Sequence, residues 1–117
     1  MLPDFNFVCK FVLIENNDDR WLVFGPQVTY RYHAQLVDKY CTLKVVPCAW
    51  INKPELTQIL DANHKILGGG TFEFDKENMR LRIYGHSKAY GRFDASEAKK
   101  FMANHAQFRE LKVIIGT

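Results

Sequence analysis

Four histidines, at positions 33, 64, 86 and 105, are the side chains of this sequence that titrate nearest neutrality. His33 stands two residues after Arg31. The run Val28 to Val37 reads as extended chain, and its two-residue period puts Thr29, Arg31, His33, Gln35 and Val37 on one row. Val28, Tyr30, Tyr32, Ala34 and Leu36 form the opposite, core-facing row. A neutral imidazole on the polar row can activate water or attack phosphorus, and the Arg31 guanidinium can hold phosphate oxygens. A surface ion pair is an equally adequate use of Arg31. His64 reads as a helix-end residue, His105 as a core-edge residue of the last helix, and His86 as a loop residue that is either part of a site or simply exposed.

The second chemical feature is the segment Gly85-His86-Ser87-Lys88-Ala89-Tyr90-Gly91, between a strand pattern and a helix start. Loops in that position commonly carry ligand groups, and successive amides in a tight turn form a concave anion nest. Ser87 adds a hydroxyl and Lys88 a charge. A polar surface loop whose glycines serve only its geometry is the alternative. The segment is neither a Walker A loop nor a dinucleotide fingerprint. Gly68-Gly69-Gly70 allows tight curvature or close approach of another group, though a bulge at a strand entry would need it as well. No acid pair and no Ser-His-Asp set is visible, so hydride transfer and zinc hydrolysis are poorly supported.

These groups need a frame. Phe7–Ile14 reads as a strand whose only charge is Lys10, followed by a turn over residues 15–20 and a second strand ending at Gly25-Pro26. Cys41–Ile51 is strand-like, with Pro47 marking an edge, bulge or end. Asn52-Lys53-Pro54-Glu55 has the form of a capping box, predicting a short helix to about Asn63 or His64. Residues 64–74, a polar turn at 75–78 and residues 79–85 make a hairpin. Asp94-Ala95-Ser96-Glu97 starts a second helix, and Leu111–Ile115 closes the chain as a strand. The fold expected is α/β: a mixed sheet of about five to six strands with two flanking crossover helices, in one domain over residues 1–117.

A chain of 117 residues with 47% hydrophobic and 25% charged residues has an ordinary globular balance. A net charge of +3 suits a phosphorylated partner but does not by itself imply nucleic acid. Lys10, Arg31, Arg80, Arg82 and Arg92 could converge on a nucleic-acid surface, a weaker alternative to ordinary solubilising positions. Cys9, Cys41 and Cys48 lack zinc-type spacing, so reduced thiols and no metal are expected. There is no apolar run of the ~18 residues a membrane span needs. The opening stretch has no basic leader ahead of an apolar core. A cytoplasmic location without targeting segment or cofactor is the expectation; the oligomeric state is open.

Three stretches carry a resemblance: LPDFNFVCKFVLIE from Leu2 to Glu15, YHAQLVDKY from Tyr32 to Tyr40, and ILGGGTFEFDKENMRLRIYGHSKAYG from Ile66 to Gly91. Together they cover about two fifths of the chain, in order, and resemble the Janus/Ocnus family, which includes a phosphohistidine phosphatase. The resemblance implies a phosphohistidine-phosphatase-like fold, a phosphorylated protein or peptide as partner, and removal of phosphate from histidine without a metal. It implies that His33, matching the histidine of a YHA motif, is the catalytic group, as general base or nucleophile. Lys10 would orient that histidine or the phosphate. The 85–91 loop would hold phosphate, with Ser87, Lys88 and Ala89 at its middle and Gly85 at its start. The family's arginine ahead of YHA aligns with Phe24-Gly25-Pro26, leaving Arg31 as the cation that would take its place.

The resemblance also implies a helix directly after YHA, where the residue pattern reads extended chain. An ungapped alignment on the helix before the glycine run instead puts Val46 at the histidine position. That alignment keeps the fold and predicts a non-catalytic binding or architectural protein. Proximity of the His33 ring to the 85–91 loop separates the two.

Overall fold

The computed structural model of the chain describes residues 5–106 and 108–116; Leu2 to Asp4, at the start of the first matching stretch, lie outside them. Strands β1 (Phe7–Asn16) and β2 (Asp19–Pro26) form an antiparallel hairpin. The other side of β1 pairs antiparallel with β5 (His64–Asp75), which pairs in turn with β6 (Arg80–Tyr84). Strand β7 (Lys112–Ile115) lies parallel to β6, so the five-stranded sheet runs β2-β1-β5-β6-β7. Helix α2 (Ala95–Asn104) makes the crossover that a parallel pair requires. Its Asp94 side chain accepts from the Glu97 amide at 2.9 Å, the cap expected from sequence.

Strand β1 is the spine of the sheet and is buried on both faces. Phe11 and Leu13 join a cluster with Phe72, Phe74 and Met102 beneath α2. Val12 and Ile14 point the other way, toward Leu36, Val37 and Tyr40 of helix α1 (His33–Lys44). That two-sided burial explains the nearly unbroken apolar run. By the same alternation, Lys10 shares the α1 face with Val12 and Ile14.

Two expectations are corrected. Val28–Val37 is not a strand: Tyr32 caps α1, and Ala34, Leu36, Val37, Tyr40 and Cys41 form its buried stripe. Their three- and four-residue spacings are helical, but the Val, Thr and Tyr residues preceding them carry strand propensity. The Gln35 side chain accepts from the Tyr32 amide at 3.0 Å, a helix start without the usual Ser, Thr, Asp or Asn. The helix includes Cys41 to Lys44, so the extended run expected from Cys41 to Ile51 is confined to β3 (Cys48–Asn52).

Nor is Asn52 to Asn63 a helix. Strands β3 and β4 (Leu56–Ile59) form a separate two-stranded sheet around a turn at residues 53–55. Asn52 and Glu55 do interact, but across that turn: Glu55 N donates to Asn52 O at 2.7 Å and Asn52 Nδ2 to Glu55 Oε2 at 3.4 Å. Asn and Pro serve turns as readily as helix starts, so the local signal fits both. Helix α1 and this small hairpin carry the chain from β2 across β1 to β5.

His64 therefore opens β5 rather than ending a helix. Its Nδ1 donates to Asp61 Oδ2 at 2.8 Å, and its Nε2 accepts from Tyr40 Oη at 2.9 Å. His105 is the exposed C-cap of α2, stacked on Phe101, rather than a core-edge residue. Among the described residues, no helix is long and apolar enough to cross a membrane.

Candidate functional site

His33 is the first residue of α1, and its ring is laid against β5. Nε2 lies 2.9 Å from the carbonyl oxygen of Gly70. A carbonyl only accepts, so Nε2 carries the hydrogen and the neutral ring keeps its lone pair on Nδ1. Burial is the main influence lowering the His33 pKa below its ordinary 6.5. The bond to Gly70 works in the opposite direction, while the charges of Lys10 and His86 lower it further. The imidazole is thus held neutral at pH 7, in one tautomer.

The glycine run makes this placement possible. A Cβ on Gly69 would stand 2.6 Å from the Phe11 carbonyl oxygen and 2.9 Å from His33 Cδ2. A Cβ on Gly70 would meet the Phe93 ring at 2.9 Å. Gly68, at φ +109°, lies where three intervals of β5, from Ile66 to Gly69, oppose two intervals of β1, from Val12 to Ile14. The bulge and close-approach readings of the run both hold, at successive residues.

The 85–91 loop is joined to the same place, because Gly69 N donates to Gly91 O at 3.1 Å. Within it, Ser87 N donates to Gly91 O at 3.0 Å and Gly91 N to Ser87 O at 2.8 Å. Ser87 Oγ is buried and accepts from Tyr90 N at 3.0 Å. Those bonds commit the amides of Ser87, Tyr90 and Gly91 to the turn. The amides of His86, Lys88 and Ala89 stand outside this network. The Tyr90 hydroxyl donates to Thr57 O at 2.7 Å and accepts from Thr57 N at 3.2 Å, tying the β3–β4 hairpin to the loop.

A cavity of about 560 Å³ opens between these elements. Lys10, Arg31 and His33 line one side, and Ser87, Lys88 and Ala89 another. Six of the seven residues singled out from sequence thus share one cavity. Gly85 does not line it; at φ +78° it turns the chain, and its carbonyl accepts from Arg92 Nη1 at 3.3 Å. Val46 packs partly buried against the cluster beneath α1 and is absent from the cavity wall, so the YHA histidine is the one beside the loop.

Sequence reasoning missed Tyr32, Asn52, Glu55 and Leu56 in the wall and left His86, which also lines it, undecided. Asn52 and Glu55 were visible as an interacting pair, but only docking of the hairpin brings them here.

Lys10, Arg31 and Lys88 make the cavity cationic, and Glu55 is the one acid among its described lining residues. Burial lowers the Lys10 pKa. The remaining arginines expected on a basic face are used elsewhere: Arg80 pairs with Asp75 at 3.3 Å, Arg82 stacks over Tyr84, and Arg92 Nη2 donates to Gly116 O at 2.8 Å. Burial pushes the thiols of Cys9 and Cys41 up to about 11 and about 12, which disfavours thiolate chemistry there. Among the described residues, no group of three or more His, Cys, Asp or Glu is gathered to hold a metal.

The sex-regulated protein janus-A of Drosophila pseudoobscura pseudoobscura is 44% identical over 36 residues. That match covers 31% of this chain and 24% of janus-A, so it spans about a quarter of that relative's length. The Janus/Ocnus family model matches residues 4–112, nearly the whole sequence, and the chain belongs to the Janus/Ocnus family.

Proposed function

We propose that this protein hydrolyses the P–N bond of phosphohistidine in a protein or peptide. The observation that carries the reading is the His33 ring, neutral and with its Nδ1 lone pair uncommitted to Gly70, in a cavity with Lys10, Arg31 and Lys88. A phosphoryl group in that cavity meets cations that balance its oxygens, and the amides of Lys88 and Ala89 add donors from the loop. Little covalent chemistry is then required of the protein, as is general for phosphoryl transfer.

Nδ1 supplies the remaining group. As a base it takes a proton from water as the water oxygen bonds to phosphorus, and the P–N electron pair returns to the substrate ring. As a nucleophile it bonds to phosphorus while the substrate P–N bond breaks and its electron pair returns to the substrate ring, and water releases phosphate from His33 in a second step. Both routes need the neutral ring, which burial and the nearby Lys10 charge favour. Ser87 serves the site by holding the loop, through the Tyr90 amide, rather than by a freely exposed hydroxyl.

The test is phosphate release from a phosphohistidine peptide by wild type and His33→Ala, with folding of both followed by circular dichroism. We expect activity in wild type and a loss of about 10²- to 10⁴-fold in the folded variant, the usual contribution of a positioned base. Equal activity would remove His33 from the mechanism. Inactivity of both proteins would sink the hydrolytic reading and favour a non-catalytic, phosphoprotein-binding member of the fold. Acid-labile label retained on wild type after a short incubation would identify His33 as nucleophile.

A further inference from the structure

We infer that Glu55, at the tip of the β3–β4 hairpin, holds the leaving imidazole of the substrate and makes the cavity selective for phosphohistidine over phosphate esters. The inference rests on the phosphohistidine reading above. Its starting point is an electrostatic mismatch. A cavity lined by Lys10, Arg31 and Lys88 suits a phosphoryl dianion, yet Glu55 also faces it. Alone, a carboxylate there repels phosphate. No ion pair joins Glu55 to those cations among the described residues; its side-chain contact is the 3.4 Å approach of Asn52 Nδ2. The carboxylate is therefore not consumed in neutralising the cavity's own charges.

The chemistry of the leaving group resolves the mismatch. In phosphohistidine one ring nitrogen carries phosphorus and the other can carry a proton. When it does, breaking the P–N bond returns the electron pair to the ring and releases neutral imidazole, with no further proton needed. When it does not, the departing group is an imidazolate, a far poorer leaving group. A carboxylate accepting a hydrogen bond from that distal N–H keeps the proton in place during cleavage. Glu55 offers such an acceptor, and Leu56 beside it offers an apolar surface for the ring. Serine, threonine and tyrosine phosphates have no N–H to present, so for them the Glu55 charge remains repulsive.

The hairpin that carries this exposed side chain is anchored just beyond its tip. Thr57, two residues from Glu55, is buried, and its amide and carbonyl both bond to the Tyr90 hydroxyl. The acidic wall and the phosphate loop are thereby joined, setting the spacing between the halves of the ligand each would hold.

The experiment compares wild type, Glu55→Gln and Glu55→Ala on a phosphohistidine peptide and on p-nitrophenyl phosphate, whose leaving group needs no proton. Glu55→Ala should lower kcat on phosphohistidine by about 10²-fold, at the lower end of proton-transfer effects, and raise kcat/KM on the ester by removing a charge that repels it. Glu55→Gln, a weaker neutral acceptor, should fall between. The alkaline limb of kcat should also begin at lower pH in Glu55→Ala, because the bound substrate ring loses its proton more readily. A merely structural role would not move that limb selectively. Equal losses on both substrates, or no loss on phosphohistidine, would overturn the inference.

Should wild type prove inactive on both, the hydrolytic reading fails, and binding then decides the role of Glu55. Wild type binding a phosphohistidine peptide more tightly than a matched phosphotyrosine peptide, with the preference lost in Glu55→Ala, would support it. Absence of that preference in wild type, or its retention in Glu55→Ala, would refute it.

Discussion

Replacing Gly69 by alanine tests whether the glycine run exists to seat His33. The new Cβ would lie 2.6 Å from the Phe11 carbonyl oxygen and 2.9 Å from His33 Cδ2, against an ordinary contact of 3.4 Å or more. Phe11 belongs to an interior strand, with partners on both sides, so its carbonyl has little freedom to retreat. The ring is the more mobile neighbour and must withdraw by about half an ångström, straining its 2.9 Å bond to Gly70. Overpacking of this kind costs about 1–3 kcal/mol, within the ~5–15 kcal/mol that holds a domain together. A displacement of about 1 Å at a reacting group can cost 10²-fold in rate, so a ten- to hundred-fold loss of phosphohistidine hydrolysis is expected. Thermal unfolding would measure the first effect, and phosphate release the second. Imidazole ¹⁵N spectra, which separate protonated from unprotonated nitrogens, would follow the ring without relying on activity. Gly70→Ala provides the comparison, because its Cβ would strike Phe93 and the Tyr84 carbonyl instead of His33. A folded Gly69→Ala protein with wild-type imidazole signals and rate would refute the seating argument.

The remaining expectations concern protons and the loop. Above pH 6.5 the His33 ring is neutral in folded and unfolded chains alike, and its burial carries no proton-linked cost. Below that, the unfolded ring takes up a proton that the buried ring resists, so stability should fall with pH until the lowered folded pKa is reached. Unfolding curves between about pH 7.5 and about pH 5 should show this decline, reduced in His33→Gln. The acid limb of kcat/KM should lie below 6.5, and Lys10→Met should move it upward by removing a neighbouring positive charge. Ser87→Ala removes the acceptor of the Tyr90 amide and should destabilise the protein by about 1–3 kcal/mol, the cost of a buried polar group left unpaired. Faster hydrogen exchange at Tyr90 would report it; unchanged exchange and stability would argue that the hydroxyl is not what orders the loop.

Much of the frame was legible because independent signals agreed. Strand β1 is apolar on both faces, β5 and β6 alternate around a polar turn, and α2 has both its Asp94 cap and an apolar stripe. Helix α1 failed that condition: Tyr32 is not a usual cap residue, and the Val-Thr-Tyr sequence before it favours strand. The opposite failure produced the expected helix at Asn52, where one set of residues satisfies a cap in sequence and a turn in space. That His33, Lys10 and the loop line one cavity was foreshadowed despite the wrong strand phase, because the loop's composition and the family resemblance do not depend on it. Asn52 and Glu55 were not legible as cavity residues. Their position depends on Tyr90 bonding to Thr57, 33 residues away, a relation no local pattern encodes.

The two faces of β1 are also unequally engaged: each carries a core cluster, and the cavity lies on one of them. The cluster that includes Phe11, Phe72 and Met102 lies on the α2 face, while Lys10 and His33 lie on the α1 face. A lineage can therefore exchange groups around the cavity with little disturbance to the larger core. Loss of an activity need not entail loss of the shape, and a silent descendant can keep a fold ready for a different ligand. The sheet thus stands between the larger core and the cavity, so a change on one side need not reach the other.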